Sequence, residues 1–379
     1  MDKQDFNERL NKAKNIVIKI GSAVIVKDYN AIDEKRIENI VDNIAFLIKK
    51  HAKHIAVVSS GAVASGMSVM RVKTKTDNIV HQQAFAAIGQ PKLVDLYGRF
   101  FAKQGINASQ VLITADDIQN RRRFINAKNS LTTLLKWKSV PIINENDTVV
   151  VEELRFGDND NLSAHIVNLI EADILIMLTN VDGVYDRNPT LKGAKIVEFI
   201  SDDFEFSHLE GANKIGSGGI KSKIIAGLKV SKLGRMAVII NGKKKDAIKN
   251  LFEGNEDKKT VFEPYKKAIT SKQSWIESCS PNGVVVIDKG AIVGLRANKS
   301  LLASGIVKIY GVFDRGDIIN IESEDGDVIA KGIANYDSSE IERIKGLHSS
   351  KITKVLGYKY SNDVVHINNM VVMPKRESL

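Results

Sequence analysis

Residues 15–242 alternate between short β-branched runs and longer stretches patterned for helix. That alternation restricts the possible folds more than any other feature of the chain. NIVIKI from Asn15, HIAVVSS from His54, SQVLIT, SVPIIN, ADILIML and MAVIIN read as strands. After the first of them, IDEKRIENIVDNIAFLIKK sets Ile37, Ile40, Val41, Ile44, Leu47 and Ile48 at helical spacing. GAVASG opens a helix of small residues, and GIKSKIIAGLKVSKLG from Gly219 patterns another. Strands alternating with helices imply a parallel sheet covered on both faces. Near-continuous apolar strands fit that burial. The expected class is α/β with a mainly parallel sheet.

The texture changes near Glu263. Beyond a mixed stretch containing Trp275, short runs with glycine punctuation take over: GVVVIDKG, AIVGLRA and GIVKIYGVFDRGDIINIESEDGDVIAKGIA. Their alternation and frequent turn residues suggest a compact β-rich domain. The expected division is an α/β domain over 10–258, a linker over 259–275 and a β-rich domain over 276–375. No internal repeat or low-complexity tract interrupts it.

Charge and cysteine usage narrow the setting. Cys279 is the single cysteine of 379 residues, which excludes an intrachain disulfide and points to a reducing compartment. The polar start MDKQDFNERLNKAKN lacks a secretory core, and runs such as ILIML are far too short to span a bilayer. A cytoplasmic protein with no membrane contact is expected. The net charge is +10, yet 13 Lys+Arg balance 13 Asp+Glu from Glu277 to Leu379. The excess therefore lies in residues 1–276, in part in GKKKDAIKN and DKKTVFEPYKKAITSK, which read first as solvated surfaces. Basic charge attracts anions but does not choose between a small substrate and a nucleic acid.

Ligands of open α/β sheets bind beyond the carboxyl ends of the strands. Here those ends carry Gly21-Ser22, Ser59-Ser60-Gly61-Ala62, Asn144-Glu145-Asn146-Asp147 and Thr179-Asn180. All are small or polar groups that let a ligand approach the backbone. Lys19 stands inside VIKIGS between two isoleucines and needs a partner there. It is either an edge-strand lysine reaching solvent or a cation held over a phosphate before a glycine turn. No GxxxxGKS/T match makes this an ordinary P-loop. IGSGGIKSK, with Gly216, Gly218, Gly219, Lys221 and Lys223 at a helix start, is a second anion-binding candidate. GDNDN precedes the helix patterned by Leu162, Ile166, Leu169 and Ile170, where Asn161 or Asp160 can serve as N-cap. Capping accounts for one residue, and neither for the whole cluster nor for its counterpart at Asn144–Asp147. His81, His165 and His348 have no metal-ligand spacing and read as packing or surface residues. Arg121–Arg123 read as a helix face near the site entrance or an oligomer contact.

VIKIGSAVI, VVSSGAVASG, INENDTV, FGDNDNLSA, LTNVDGVY and GSGGIKSK, in this order, resemble the amino acid kinase family, and within it the branch that phosphorylates glutamate. SLLASGIVKIYGVFDRGDIINI to KVLGYKY resembles a PUA domain. The resemblance spans roughly residues 14–372. It implies a three-layer αβα sandwich followed by a small β-rich PUA pseudo-barrel. It also implies ATP and Mg2+ as cofactors, and phosphorylation of the γ-carboxylate of L-glutamate; another phosphotransferase of the same family is the alternative. Carried over by position, Lys19, Asp160 and Lys223 are catalytic, with Asp160 orienting the two lysines. Ser60, Gly61, Asn144, Asp147, Asp158 and Asn159 match glutamate-binding positions. Lys19, Gly21, Ser22, Thr179 and Asn180 match ATP-binding positions, as does the loop Ser217, Gly218, Gly219, Ile220, Lys221, Ser222 and Lys223. The family relationship further implies proline as inhibitor, a homo-oligomer (dimer or tetramer), and glutamate-5-semialdehyde dehydrogenase as a partner. RNA binding through the PUA domain is disfavoured by the zero net charge of residues 277–379. Two departures stand out: Asn180 replaces a frequent aspartate, and GSGGI replaces GTGGM.

Overall fold

The computed structural model describes residues 1–27, 31–74, 76–149, 159–204, 219–256 and 258–373. The chain divides into two compact units, Met1–Ile269 and Thr270–Leu379. In the first, the elements run α1 (Lys3–Lys12), β1 (Asn15–Ile20), α2 (Ser22–Ile25), α3 (Glu34–His51), β2 (His54–Ser59), α4 (Ala62–Val69) and α5 (Ile79–Lys103). They continue with β3 (Ala108–Ile113), α6 (Ala115–Gln119), α7 (Arg121–Lys136), β4 (Val140–Glu145), α8 (Asn159–Ile170), β5 (Ile174–Thr179) and β6 (Phe199–Ile200). The unit closes with α9 (Gly219–Lys232), β7 (Met236–Asn241), α10 (Ala247–Phe252) and β8 (Thr260–Phe262).

The eight strands form one sheet in the order β3-β4-β2-β1-β5-β7-β8-β6. All pairs are parallel except β7–β8. The α/β expectation is met, with β8 and β6 reversed at one edge. β1 lies in the middle, paired with β2 on one side and β5 on the other. That placement removes the edge-strand reading of Lys19. Helix α3 shows why the helical pattern holds: Asp33 caps its start, and Ile37, Ile40, Val41, Ile44 and Leu47 are buried on the sheet-facing side. The expected linker 259–275 contributes β8 to the sheet. No helix among the described residues is long and apolar enough to cross a membrane.

Helices α4 and α5 cross with almost no space between their backbones. A Cβ on Gly66 would lie 1.8 Å from the Phe85 carbonyl oxygen. One on Gly89 would lie 2.0 Å from the Ala62 oxygen and 2.3 Å from the Gly66 nitrogen. Gly89→Ala should therefore destabilise the protein even though alanine is the better helix former by about 1 kcal/mol. Overpacking of this kind costs roughly 1–3 kcal/mol, and here the obstructing atoms are backbone on a rigid partner. Urea unfolding checks it: the midpoint should fall, and an unchanged midpoint would mean that the crossing relaxes freely.

The second unit holds α11 (Ser271–Ser278) and a five-stranded sheet in the order β10-β9-β11-β12-β13. Its strands are β9 (Gly283–Ile287), β10 (Ile306–Tyr310), β11 (Ile318–Ser323), β12 (Val328–Ile333) and β13 (Met370–Val372). AIVGLRA, expected among the β runs, belongs instead to α12 (Lys289–Arg296). The Asp288 side chain accepts from the Ala291 N–H and starts a helix there, and Leu295 is its buried residue. Short helices α13 (Ser338–Ile344) and α14 (Ile352–Leu356) complete the unit, and Trp275 is buried on α11.

Candidate active site

The four neighbouring strands β4, β2, β1 and β5 run in parallel, so their carboxyl ends open into one cavity of about 860 Å³. Lys19, Gly21 and Ser22 enter it from β1, and Ser60 and Gly61 from β2. Asn144, Glu145 and Asp147 come from β4, and Thr179 and Asn180 from β5. The starts of α8 and α9 supply Asn159, Asp160, Gly219, Ile220, Ser222 and Lys223. Lys221 is exposed on α9 and is not part of the lining. Asp158, Ser217 and Gly218 lie outside the described residues.

Three charges meet at the floor of this cavity. Lys19 Nζ lies 2.5 Å from Asp160 Oδ1, and Lys223 Nζ lies 2.9 Å from Asp160 Oδ2. Ser222 Oγ donates to the same Oδ2 at 2.7 Å, and Lys223 also donates to the Gly219 carbonyl at 2.8 Å. The Asp160 side chain is 2% exposed and those of Lys19 and Lys223 are 5% and 9% exposed. Burial by itself pushes the Asp160 carboxyl up. The Lys19 and Lys223 ammonium groups, with hydrogen bonds from Lys19 and Ser222, outweigh it and hold the carboxyl below the usual range. Asp160 thus stays ionised between its lysines. The triad carries a net charge of +1 away from water, which suits an arriving anion. At Gly21 a Cβ would sit 3.3 Å from the Leu178 oxygen, a tight contact, and 3.7 Å from Lys19 Nζ, an ordinary one.

A neutral amide network forms the neighbouring wall. Asn159 Nδ2 donates to Ser60 Oγ and to Asn144 Oδ1, both at 2.9 Å, and faces the Ser59 carbonyl at 3.3 Å. Asn144 Nδ2 donates in turn to Gln90 Oε1 at 2.9 Å. Ser59 Oγ is 2.9 Å from the hydroxyl of Tyr97, whose phenol burial pushes up and so keeps protonated. Gln90 and Tyr97, both on α5, are absent from the sequence reading, as are Thr76 and Gln82 of the lining. One signal was present: Gln90 stands in the apolar stretch AAIGQP, where a polar side chain needs a buried partner. Among the described residues no three His, Cys, Asp or Glu side chains cluster as a metal site. Arg121–Arg123 form the first turn of α7, where Arg123 pairs with Asp116 at 2.6 Å.

Residues 14–241 match the model of the amino acid kinase family, and residues 283–356 match that of the PUA domain. The chain is 41% identical over 370 residues to the glutamate 5-kinase of Syntrophus aciditrophicus, an alignment covering 96% of this chain and 95% of that protein. It is 42% identical over 369 residues to the glutamate 5-kinase of Syntrophotalea carbinolica, covering 96% and 98%. Among solved structures, the UMP kinase from Ureaplasma parvum is 18% identical, with a TM-score of 0.47, over 66% of this chain and 99% of its own.

Proposed function

Because the chain belongs to the amino acid kinase family and is similar along nearly its whole length to relatives named glutamate 5-kinase, we propose that it transfers the γ-phosphoryl group of ATP to the γ-carboxylate of L-glutamate. The observation that carries this reading is the buried Lys19–Asp160–Lys223 triad at the ends of the central strands.

The nucleophile is the substrate's own carboxylate, ionised near neutral pH, so no general base is needed. A carboxylate oxygen forms the new bond to the γ-phosphorus, the bridging P–O bond breaks, and its electron pair leaves on ADP. The main obstacle is repulsion between two anions, about 4 kcal/mol at 4 Å with an effective dielectric near 20. Lys19 and Lys223 offset it, and Asp160 fixes both ammonium groups beforehand, so little reorganisation accompanies the transfer. Mg2+ supplies further charge neutralisation when bound.

In this reading Ser60, Gly61, Asn144, Asp147 and Asn159 hold glutamate, with Asp158 beside them. Gly21, Ser22, Thr179 and Asn180 hold ATP together with Gly219, Ile220, Ser222 and Lys223 at the start of α9, and Ser217 and Gly218 precede them in the chain. Proline acts as a feedback inhibitor, the enzyme works in the cytoplasm as a homo-oligomer, and its labile acyl phosphate passes to glutamate-5-semialdehyde dehydrogenase. Trapping the product with hydroxylamine tests the reaction. Glutamate with ATP should give the γ-hydroxamate, while N-acetylglutamate, aspartate and uridylate should release little ADP. Preference for any of those three would replace glutamate as the substrate.

A further inference from the structure

Gln90 is a polar side chain kept from water with half of its amide unused. It is 7% exposed on α5. Its Oε1 accepts from Asn144 Nδ2, while its Nε2 is buried with no hydrogen-bond partner among the described residues. A buried, half-satisfied amide is less favourable than an apolar side chain of equal size. Stability therefore does not explain the choice of glutamine.

Its use lies at the other end of the amide relay. Asn144 gives its nitrogen to Gln90 and so turns its oxygen toward Asn159. Asn159 makes all its contacts through nitrogen, to Asn144 Oδ1, Ser60 Oγ and the Ser59 carbonyl. Its own carbonyl oxygen is left with no protein donor among the described residues, on a side chain that lines the cavity. An amide can present either end, and each end selects an opposite ligand group: oxygen accepts from an ammonium, and NH₂ donates to a carboxylate. The Ser59 carbonyl can only accept, and Gln90 as placed presents its acceptor Oε1 to Asn144. Together these two acceptors set the direction of the two asparagines between them. The close α4–α5 crossing at Gly66 and Gly89 places α5, and with it Gln90, at this depth.

We propose that Gln90 is a positioning residue for substrate recognition. It orients the Asn144–Asn159 relay so that Asn159 offers an acceptor oxygen to the substrate's α-ammonium group. This deepens the glutamate kinase reading and rests on it.

Gln90→Met keeps the length and apolar volume of the side chain and removes the acceptor. Asn144 then regains a partner for its buried nitrogen only by turning it toward Asn159, which forces Asn159 to present nitrogen to the cavity. The KM for glutamate should rise about tenfold, as expected for a lost charge-assisted hydrogen bond. Glutarate has the same two carboxylates and no ammonium. Its inhibition constant against glutamate should move less than about twofold, with kcat and the KM for ATP holding within the same margin. Gln90→Glu retains an acceptor for Asn144 and should keep the glutamate KM within about threefold of wild type. An unchanged glutamate KM in Gln90→Met overturns the proposal, as does an equal weakening of glutarate, which would mean a merely structural role. If thermal melting finds Gln90→Met unfolded, Gln90→Glu decides: a glutamate-specific loss despite the retained acceptor sinks the idea. A wild-type enzyme that makes no hydroxamate from glutamate would defeat the functional reading itself, and that is seen before any variant is compared.

Discussion

Lys19→Met should lower kcat by on the order of 10²–10³-fold, the usual consequence of losing one preorganised electrostatic stabiliser. The KM for glutamate should stay within a few-fold of wild type, since the lost interaction matters most as the phosphoryl group passes between two anions. Methionine is the informative replacement because Lys19 sits on the central strand β1, where alanine would also open a cavity. Some stability is lost with it: Asp160 keeps Lys223 and the Ser222 hydroxyl on Oδ2, while its buried Oδ1 loses the Lys19 ammonium group. What changes is the charge of the triad, from +1 to neutral, and with it the reason for a phosphoryl group to bind there. Lys223→Met should behave in the same way through the other ammonium group. ADP release at saturating substrates, with melting temperature measured in parallel, separates the catalytic loss from unfolding. Near-normal kcat in both variants would remove the two lysines from the chemistry.

How much of this site was legible beforehand depended on whether the relation was local. The strands and α3 announce themselves because a strand's burial and a helix's 3.6-residue period are written in neighbouring residues. The polar strand ends were legible for the same reason. The position of β1 was not: Lys19 admits an edge-strand reading until β2 and β5 are known to flank it. The Asp160–Lys223 contact spans 63 residues, and Asn144–Gln90 spans 54. No spacing rule encodes either. The first was suggested by family resemblance alone, and the second was missed. AIVGLRA misled because a short apolar run fits both periods, and the capping contact from Asp288 to Ala291 decided for helix. TVF, which becomes β8, is three residues long in a lysine-rich stretch, too short to register as a strand.

Asp160→Ala tests the same triad from its anionic side and should damage both folding and catalysis. Removing the carboxylate leaves two ammonium groups facing one another out of water, each without its counter-charge. Breaking a buried ion pair by deleting one partner costs roughly 3–5 kcal/mol, and here one deletion strands two cations. The pH dependence gives a second signature. The wild-type Asp160 carboxyl lies below the usual range in the folded protein, so its ionised form stabilises the fold above the ordinary carboxylate pKa. That contribution is lost as pH falls through the depressed folded value. The stability gap between wild type and variant should therefore be widest near neutral pH and narrow progressively in acid below about pH 4. A structural anion should partly substitute for the missing carboxylate. Sulfate or ATP should raise the melting temperature of Asp160→Ala more than that of wild type, because both add negative charge between Lys19 and Lys223. Urea midpoints across pH, with and without the anion, read all three effects. An alanine variant as stable as wild type at neutral pH, and indifferent to sulfate, would mean that the lysines do not depend on Asp160 and that the triad is not the organising charge of the site.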